Sequence, residues 1–232
     1  MDDIRNLKNI AVFQKRQIMK IHPLMYTYSL RQFLFHVTHQ LEVGKPGGSS
    51  YVWSTVLKDA GKVLVERVVK AVTTDIQTRK AVKVPEWFQA KYSGQPKLNN
   101  LSEKLRSNLK IPKFPDDCYK WQTKIRYSDL DNNMHTNQSV YIKLCLDGAT
   151  CAALTGKLRH FNADITWYPV EILDITFVGE SFPGDDITVS LRQDETDVSM
   201  LHFLITKEKS IITYADVKFS LPKIKPRTTA SL

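Results

Sequence analysis

The stretch Trp121–Gly148, WQTKIRYSDLDNNMHTNQSVYIKLCLDG, decides how the rest of the chain is read, because a strand pattern, a polar loop and a helix pattern meet within it. Tyr119, Trp121, Thr123, Ile125 and Tyr127 alternate with Lys120, Gln122, Lys124 and Arg126, the two-residue period of a half-buried strand that ends near Ser128. Past the loop, Val140, Tyr141, Leu144 and Cys145 recur at helical spacing. Thr136 or Asn137 can cap that helix and Gly156 can stop it. Between the two elements, Ser128 to His135 holds two carboxylates, two amides and an imidazole directly before a helix N-terminus. Free N–H groups and aligned peptide dipoles favour negative charge at such a place, so an oxyanion or phosphate could sit there. Aspartate and asparagine also favour turns and caps for local reasons, and spacing alone leaves both readings open.

The segment SDLDNNMHTNQSVYIKLCLD resembles the signature of hotdog-fold acyl-ACP thioesterases, the plant-type enzymes and their animal relatives, whose pattern is D-L-D-x-N-x-H-x-N-N-x-x-Y. The chain matches it at Asp129, Leu130, Asp131, Asn133, His135, Asn137 and Tyr141, and departs at Gln138, where the family has a second Asn. A second segment, Ile175–Val189 (ITFVGESFPGDDITV), is similar to the family stretch in which a strand ends in an acidic residue before a Gly-Asp turn. Glu180 takes that position. The resemblance implies a catalytic set of Asp131, Asn133, His135 and Glu180, with Asn137 and Tyr141 contacting substrate. Asp131 would act as base or nucleophile, Glu180 would hold or activate water, Asn133 and His135 would orient water and carbonyl, and helix N–H groups near Asn137 would bind the oxyanion. In the plant enzymes a Cys follows the Glu; Ser181 stands here, which weakens a Cys-based mechanism and favours carboxylate chemistry.

The implied activity is hydrolysis of fatty acyl thioesters, carried on acyl carrier protein (ACP) or coenzyme A, to a free fatty acid and a thiol. A thiolate leaves readily, so the lack of a GxSxG nucleophile motif is no objection. The rival reading is a non-catalytic acyl-binding or scaffold protein that kept the fold while Gln138 and Ser181 drifted from the pattern. The implied fold class is α+β, a double hotdog in which each unit wraps a curved antiparallel sheet around a long central helix.

The 232 residues suffice for one large domain or two small ones, and 42% hydrophobic with 25% charged residues are ordinary globular values. No apolar run approaches the roughly 20 residues of a membrane-spanning helix. The start, MDDIRNLKN, lacks the apolar core of a signal peptide. Three cysteines, Cys118, Cys145 and Cys151, leave one over in any disulfide scheme and fall in no metal-ligand spacing. We therefore expect a reducing compartment, cytoplasm or organelle matrix, with no secretion, no metal and no cofactor. The net charge of +9 favours anionic partners, among which an acidic carrier protein or coenzyme A phosphates qualify. Nucleic acid would need a motif or an aromatic-basic platform that the chain lacks. The expected state is monomer or homodimer.

Along the chain, Ile10–Ile21 reads as a strand, and SLRQFLFHVTHQLEVG (29–44) reads as a helix stopped by Gly44. His36 and His39 lie near its apolar stripe without acidic neighbours at ligand spacing. Strands follow from Tyr51 and from Lys62, and the polar stretch from Glu86 to Asp117 reads as a connection with a weak helix around Leu101, Leu105 and Leu109. A second unit repeats the order, with strands expected at Ile165–Glu180, Ile187–Gln193, Val198–Thr206 and Ile211–Leu221. The expected organisation is an N-terminal hotdog without a catalytic motif (1–95), a linker (96–115), a C-terminal hotdog carrying the active site (116–226) and a tail (227–232).

Overall fold

The computed structural model describes residues 9–27, 37–44, 46–94, 101, 104–105, 111–131 and 134–221. Alternating β-branched and aromatic runs form strands β1 (Ile10–Ile21), β2 (Val37–Val43), β3 (Ser50–Asp59), β4 (Lys62–Asp75), β5 (Tyr119–Lys124), β6 (Val170–Phe177), β7 (Asp186–Gln193), β8 (Met200–Lys207) and β9 (Ser210–Phe219). Among the described residues, helices α1 (Glu86–Tyr92) and α2 (Gln138–Leu154) accompany them. The strands make one antiparallel sheet in the order β2-β3-β4-β1-β6-β9-β8-β7-β5. Its N-terminal and C-terminal halves meet where β1 pairs with β6, with Ile18 opposite Asp174.

Two expectations are corrected here. The helix predicted over 29–44 is overturned where it is described, since Val37–Val43 is strand β2, paired along its length with β3. VTHQLEV alternates apolar and polar positions as well as it meets helical spacing, and pairing to β3 decides the contest. The rest of that expected helix, including His36, lies outside the described residues, as does most of the weak helix predicted around Leu109. The polar connection predicted from Glu86 contains helix α1, whose Phe88 is buried against Tyr51 and Tyr92, with ring centroids 4.9 and 4.7 Å away.

The helix predicted after the polar loop is α2, capped by Asn137 and followed by Gly156 in the left-handed region at φ 70°. Its buried side, Val140, Tyr141, Leu144, Cys145, Gly148, Ala149, Ala152 and Ala153, lies on the β7 and β8 residues Ile187, Val189, Leu191, Leu201, Phe203 and Ile205. The small residues let the helix approach the sheet. A Cβ added at Gly148 would stand 3.4 Å from Val189 Cγ1 and 3.6 Å from the Trp121 ring.

The opposite face of the C-terminal half carries a charged row. Asp174, Asp216, His202 and Arg192 stand directly across from one another on β6, β9, β8 and β7. Arg16 of β1 closes one end, its Nε and Nη2 donating to the two oxygens of Asp174 at 2.8 and 2.7 Å, while Nη1 donates to the Lys104 carbonyl at 3.0 Å. His202 meets Asp216 through Nδ1 at 2.6 Å and Asp194 through Nε2 at 3.0 Å. Burial is the strongest influence on His202 and opposes its charge, but the two carboxylates outweigh it and the imidazole pKa is raised. A raised folded pKa stabilises the protein fully below the unfolded value of about 6.5 and ceases to do so as pH rises through the folded value. Thermal melting is therefore expected to show a downward step in Tm as pH rises above about 6.5, and His202→Gln should remove that step. An unchanged step in the variant would assign it to another group.

Candidate active site

The polar loop before α2 is folded by its own backbone. Asp131 N–H donates to the His135 carbonyl at 2.8 Å, Met134 N–H to the Asp131 carbonyl at 3.0 Å, and Leu130 and Thr136 form an antiparallel bridge. Asp131 Oδ1 accepts the His135 N–H at 3.3 Å. Asp129 is the structural carboxylate of the loop, buried, with its oxygens accepting from Arg126 N–H at 2.9 Å and Lys143 Nζ at 3.0 Å. Burial acts most strongly on Asp129 and against its charge, yet the Arg126 N–H and the Lys143 ammonium together hold its pKa below the ordinary value. Asn137 caps α2, its Oδ1 accepting the Ser139 N–H at 2.9 Å.

Glu180 is brought to this loop by the end of β6. The N–H groups of Val178 and Gly179 both donate to the Ile212 carbonyl, at 2.8 and 3.0 Å. Gly179 permits that approach, because a Cβ there would lie 3.1 Å from Ile212 Cδ1 and 3.2 Å from the Ile211 carbonyl oxygen. The next residue, Ser181, is fully buried. Its hydroxyl lies 2.9 Å from Thr136 Oγ1 and 2.8 Å from the Tyr141 hydroxyl, and its N–H donates to that hydroxyl at 3.2 Å. Ser181 thus pins the strand carrying Glu180 to the start of α2. Burial, the leading influence, raises the pKa of Tyr141 and keeps it a neutral phenol.

Asp131, His135, Asn137, Tyr141 and Glu180 line one cavity of about 990 Å³. Its far wall comes from the N-terminal half, with Val12 and Phe13 of β1, Tyr51 and Trp53 of β3, and Ala71 and Val72 of β4. Five of the six predicted site residues therefore converge; the sixth, Asn133, lies outside the described residues. Tyr141 lines the cavity but spends its hydroxyl on Ser181, and Asn137 spends its side-chain oxygen on the cap.

Two participants carried no signal in the sequence. Gln138, the departure from the family pattern, donates from Nε2 to the Gln14 carbonyl at 2.9 Å, where β1 bulges between Gln14 and Arg16. Arg79 follows β4 and donates to Glu180 Oε1 at 3.2 Å, and its Nη2 lies 2.8 Å from His135 Nε2. His135 Nε2 also lies 3.9 Å from Glu180 Oε2, too far for a hydrogen bond, so the guanidinium contact governs the imidazole. Among the described residues no cluster of His, Cys, Asp and Glu could hold a metal ion, and no helix is long and apolar enough to cross a membrane.

A carboxylate loop at a helix N-terminus thus shares one cavity with a second carboxylate, Glu180. Residues 115–221 match the family model of the acyl-ACP thioesterase C-terminal domain, a match that indicates a thioester hydrolase. An acyl-ACP thioesterase from Bacteroides thetaiotaomicron superposes with a TM-score of 0.67 at 17% identity, covering 91% of this chain and 77% of its own. A 12:0-ACP thioesterase from Umbellularia californica gives 0.69 at 14% identity, covering 93% of this chain and 77% of its own. At such identities these two establish the fold, and the domain match carries the class. Comparison with curated protein sequences gives no significant match.

Proposed function

We propose that the protein hydrolyses fatty acyl thioesters on acyl carrier protein, with Asp131 and Glu180 as its working carboxylates, in a double hotdog whose N-terminal unit (1–95) is joined through residues 96–115 to a C-terminal unit (116–226). The observation that carries this reading is the meeting of Asp131, His135 and Glu180 on one cavity at the N-terminus of α2. Asp131 takes the proton of an attacking water or attacks the thioester carbon itself, and Glu180 holds the water. As the tetrahedral oxyanion forms, N–H groups at the start of α2 stabilise it, and the thiolate departs without needing a strong acid. The burial of Ser181 between Thr136 and Tyr141 favours carboxylate over Ser181-based chemistry, since its hydroxyl already serves two neighbours. The N-terminal unit lacks the catalytic motif in its sequence and lends the cavity apolar side chains, Val12, Phe13, Trp53 and Val72 among them, against which an acyl chain lies.

Purified protein incubated with acyl-ACP and a thiol-reactive dye is expected to release thiol, and the rate should fall as salt is raised, because the +9 charge steers an acidic carrier over long range. No thiol release across acyl chain lengths would mean that the fold binds acyl groups without cleaving them. Release that is flat in ionic strength would separate the charge from carrier docking.

A further inference from the structure

We propose that Arg79 is a positioning residue of the thioesterase site: contributed by the N-terminal half, it fixes Glu180 and the tautomer of His135 at once. The inference rests on the assignment of Asp131, His135 and Glu180 above, and adds to it a group from outside the matched domain, 101 positions before Glu180.

The geometry is that of a fork. Nη1 donates to Glu180 Oε1 at 3.2 Å while Nη2 lies 2.8 Å from His135 Nε2. A guanidinium has only donors, so Nε2 must accept, which makes His135 a neutral imidazole with its proton on Nδ1. His135 therefore presents an N–H donor from Nδ1, suited to orienting a carbonyl or water, and Glu180 is held in place by the same guanidinium.

The backbone supports the same reading. Arg79 sits at φ 59°, a left-handed conformation that glycine or asparagine adopts with less strain. The turn holding it there is fully built: Asp75 Oδ1 accepts the N–H groups of Gln77 and Thr78 at 3.1 and 2.7 Å, and the Asp75 carbonyl accepts the Arg79 N–H at 2.9 Å. The side chain passes over the Phe13 ring at 5.8 Å on its way to the site. Folding gains little from this choice, because the pair with Glu180 is 47% and 40% exposed and such ion pairs are weak. A strained arginine whose contacts add little stability, and whose Nη1 and Nη2 each reach a site residue, is there for the site.

Arg79→Gly separates the two roles. Relief of the left-handed strain offsets the lost ion pair, so Tm is expected to stay level or rise. Turnover of acyl-ACP is expected to fall about tenfold to a hundredfold with KM changed by less than about threefold, since orientation and not carrier binding is lost. Arg79→Lys restores a charge without the fork and is expected to recover only part of the lost kcat. Wild-type kcat in Arg79→Gly would overturn the inference, and so would a drop in Tm that accounts for the lost activity. Either result leaves the carboxylate assignment standing, which fails instead on a fully active Asp131→Asn or on strictly additive losses when Asp131→Asn and Glu180→Gln are combined.

Discussion

Asp131→Asn is expected to lower thioester turnover by about two to four decades, about 3–5 kcal/mol of activation barrier, without unfolding the protein. The substitution removes the proposed base and keeps the shape of the side chain. The loop is closed by backbone bonds between Asp131 and His135, and the contact of Oδ1 with the His135 N–H can be kept by an amide oxygen. Glu180→Gln is expected to cost a comparable amount, because an amide does not hold a nucleophilic water as a carboxylate does. As the two act on the same water, the double variant should be little worse than either single one. Thiol release gives kcat for each variant, and far-ultraviolet circular dichroism checks the fold. A fully active Asp131→Asn, or strictly additive losses, would reduce the loop to a capping turn and move the chemistry elsewhere.

The second large effect concerns stability. Asp174→Ala is expected to cost about 2–3 kcal/mol in urea unfolding, because it strips both carboxylate bonds from a guanidinium that remains buried. The Arg16 side chain is 9% exposed and that of Asp174 18%, so solvent screens the pair far less than a surface ion pair. Asp216, directly opposite Asp174, offers partial compensation, which keeps the expected loss below that of a fully isolated buried charge. The contact lies on the strand pair β1–β6 that joins the two halves of the sheet, so its loss weakens their union. Combining Arg16→Met with Asp174→Leu should recover most of the loss, since an apolar pair of similar size can replace a buried ion pair. A single-variant cost below about 0.5 kcal/mol would class the bridge with ordinary surface pairs.

The parts of this molecule that were legible in the sequence share one property: their signal is local. The alternating or β-branched runs of β3, β4 and β6 to β9 and the cap-to-glycine span of α2 are each written within one stretch of chain, and strands and helix appear there; the strand expected at Ile165–Glu180 is shorter, because Ile165–Trp167 forms a 3-10 turn, and the one expected to end near Ser128 ends at Lys124. The loop from Asp129 to Asn137 could be read because its acidic and amide residues stand directly before the helix they serve. What could not be read depends on pairing at a distance. VTHQLEV satisfies helix and strand patterns together, and only its partner β3 breaks the tie. Helix α1 hides in a polar stretch because its burial comes down to Phe88 meeting Tyr51, far away in sequence. Gln138 looked like decay of a motif and proves to be a tether to Gln14. Arg79, among the polar residues of a turn, shows nothing of its destination until the sheet is assembled.

The cavity has two walls of different ancestry within the chain, and this divides what mutation can do to it. One wall is written in residues 12–81, where apolar and aromatic side chains such as Phe13, Trp53 and Val72 mix with polar or charged ones such as Lys15, Lys70 and Thr74. The other is written in residues 131–180 and holds the groups proposed to carry the reaction. Drift along the first wall reshapes what is admitted and leaves a working enzyme for selection to act on; drift along the second extinguishes it. Arg79 is the exception, a position in the permissive wall that answers to the strict one. A lineage that loses it keeps a stable, well-folded protein and a slow enzyme.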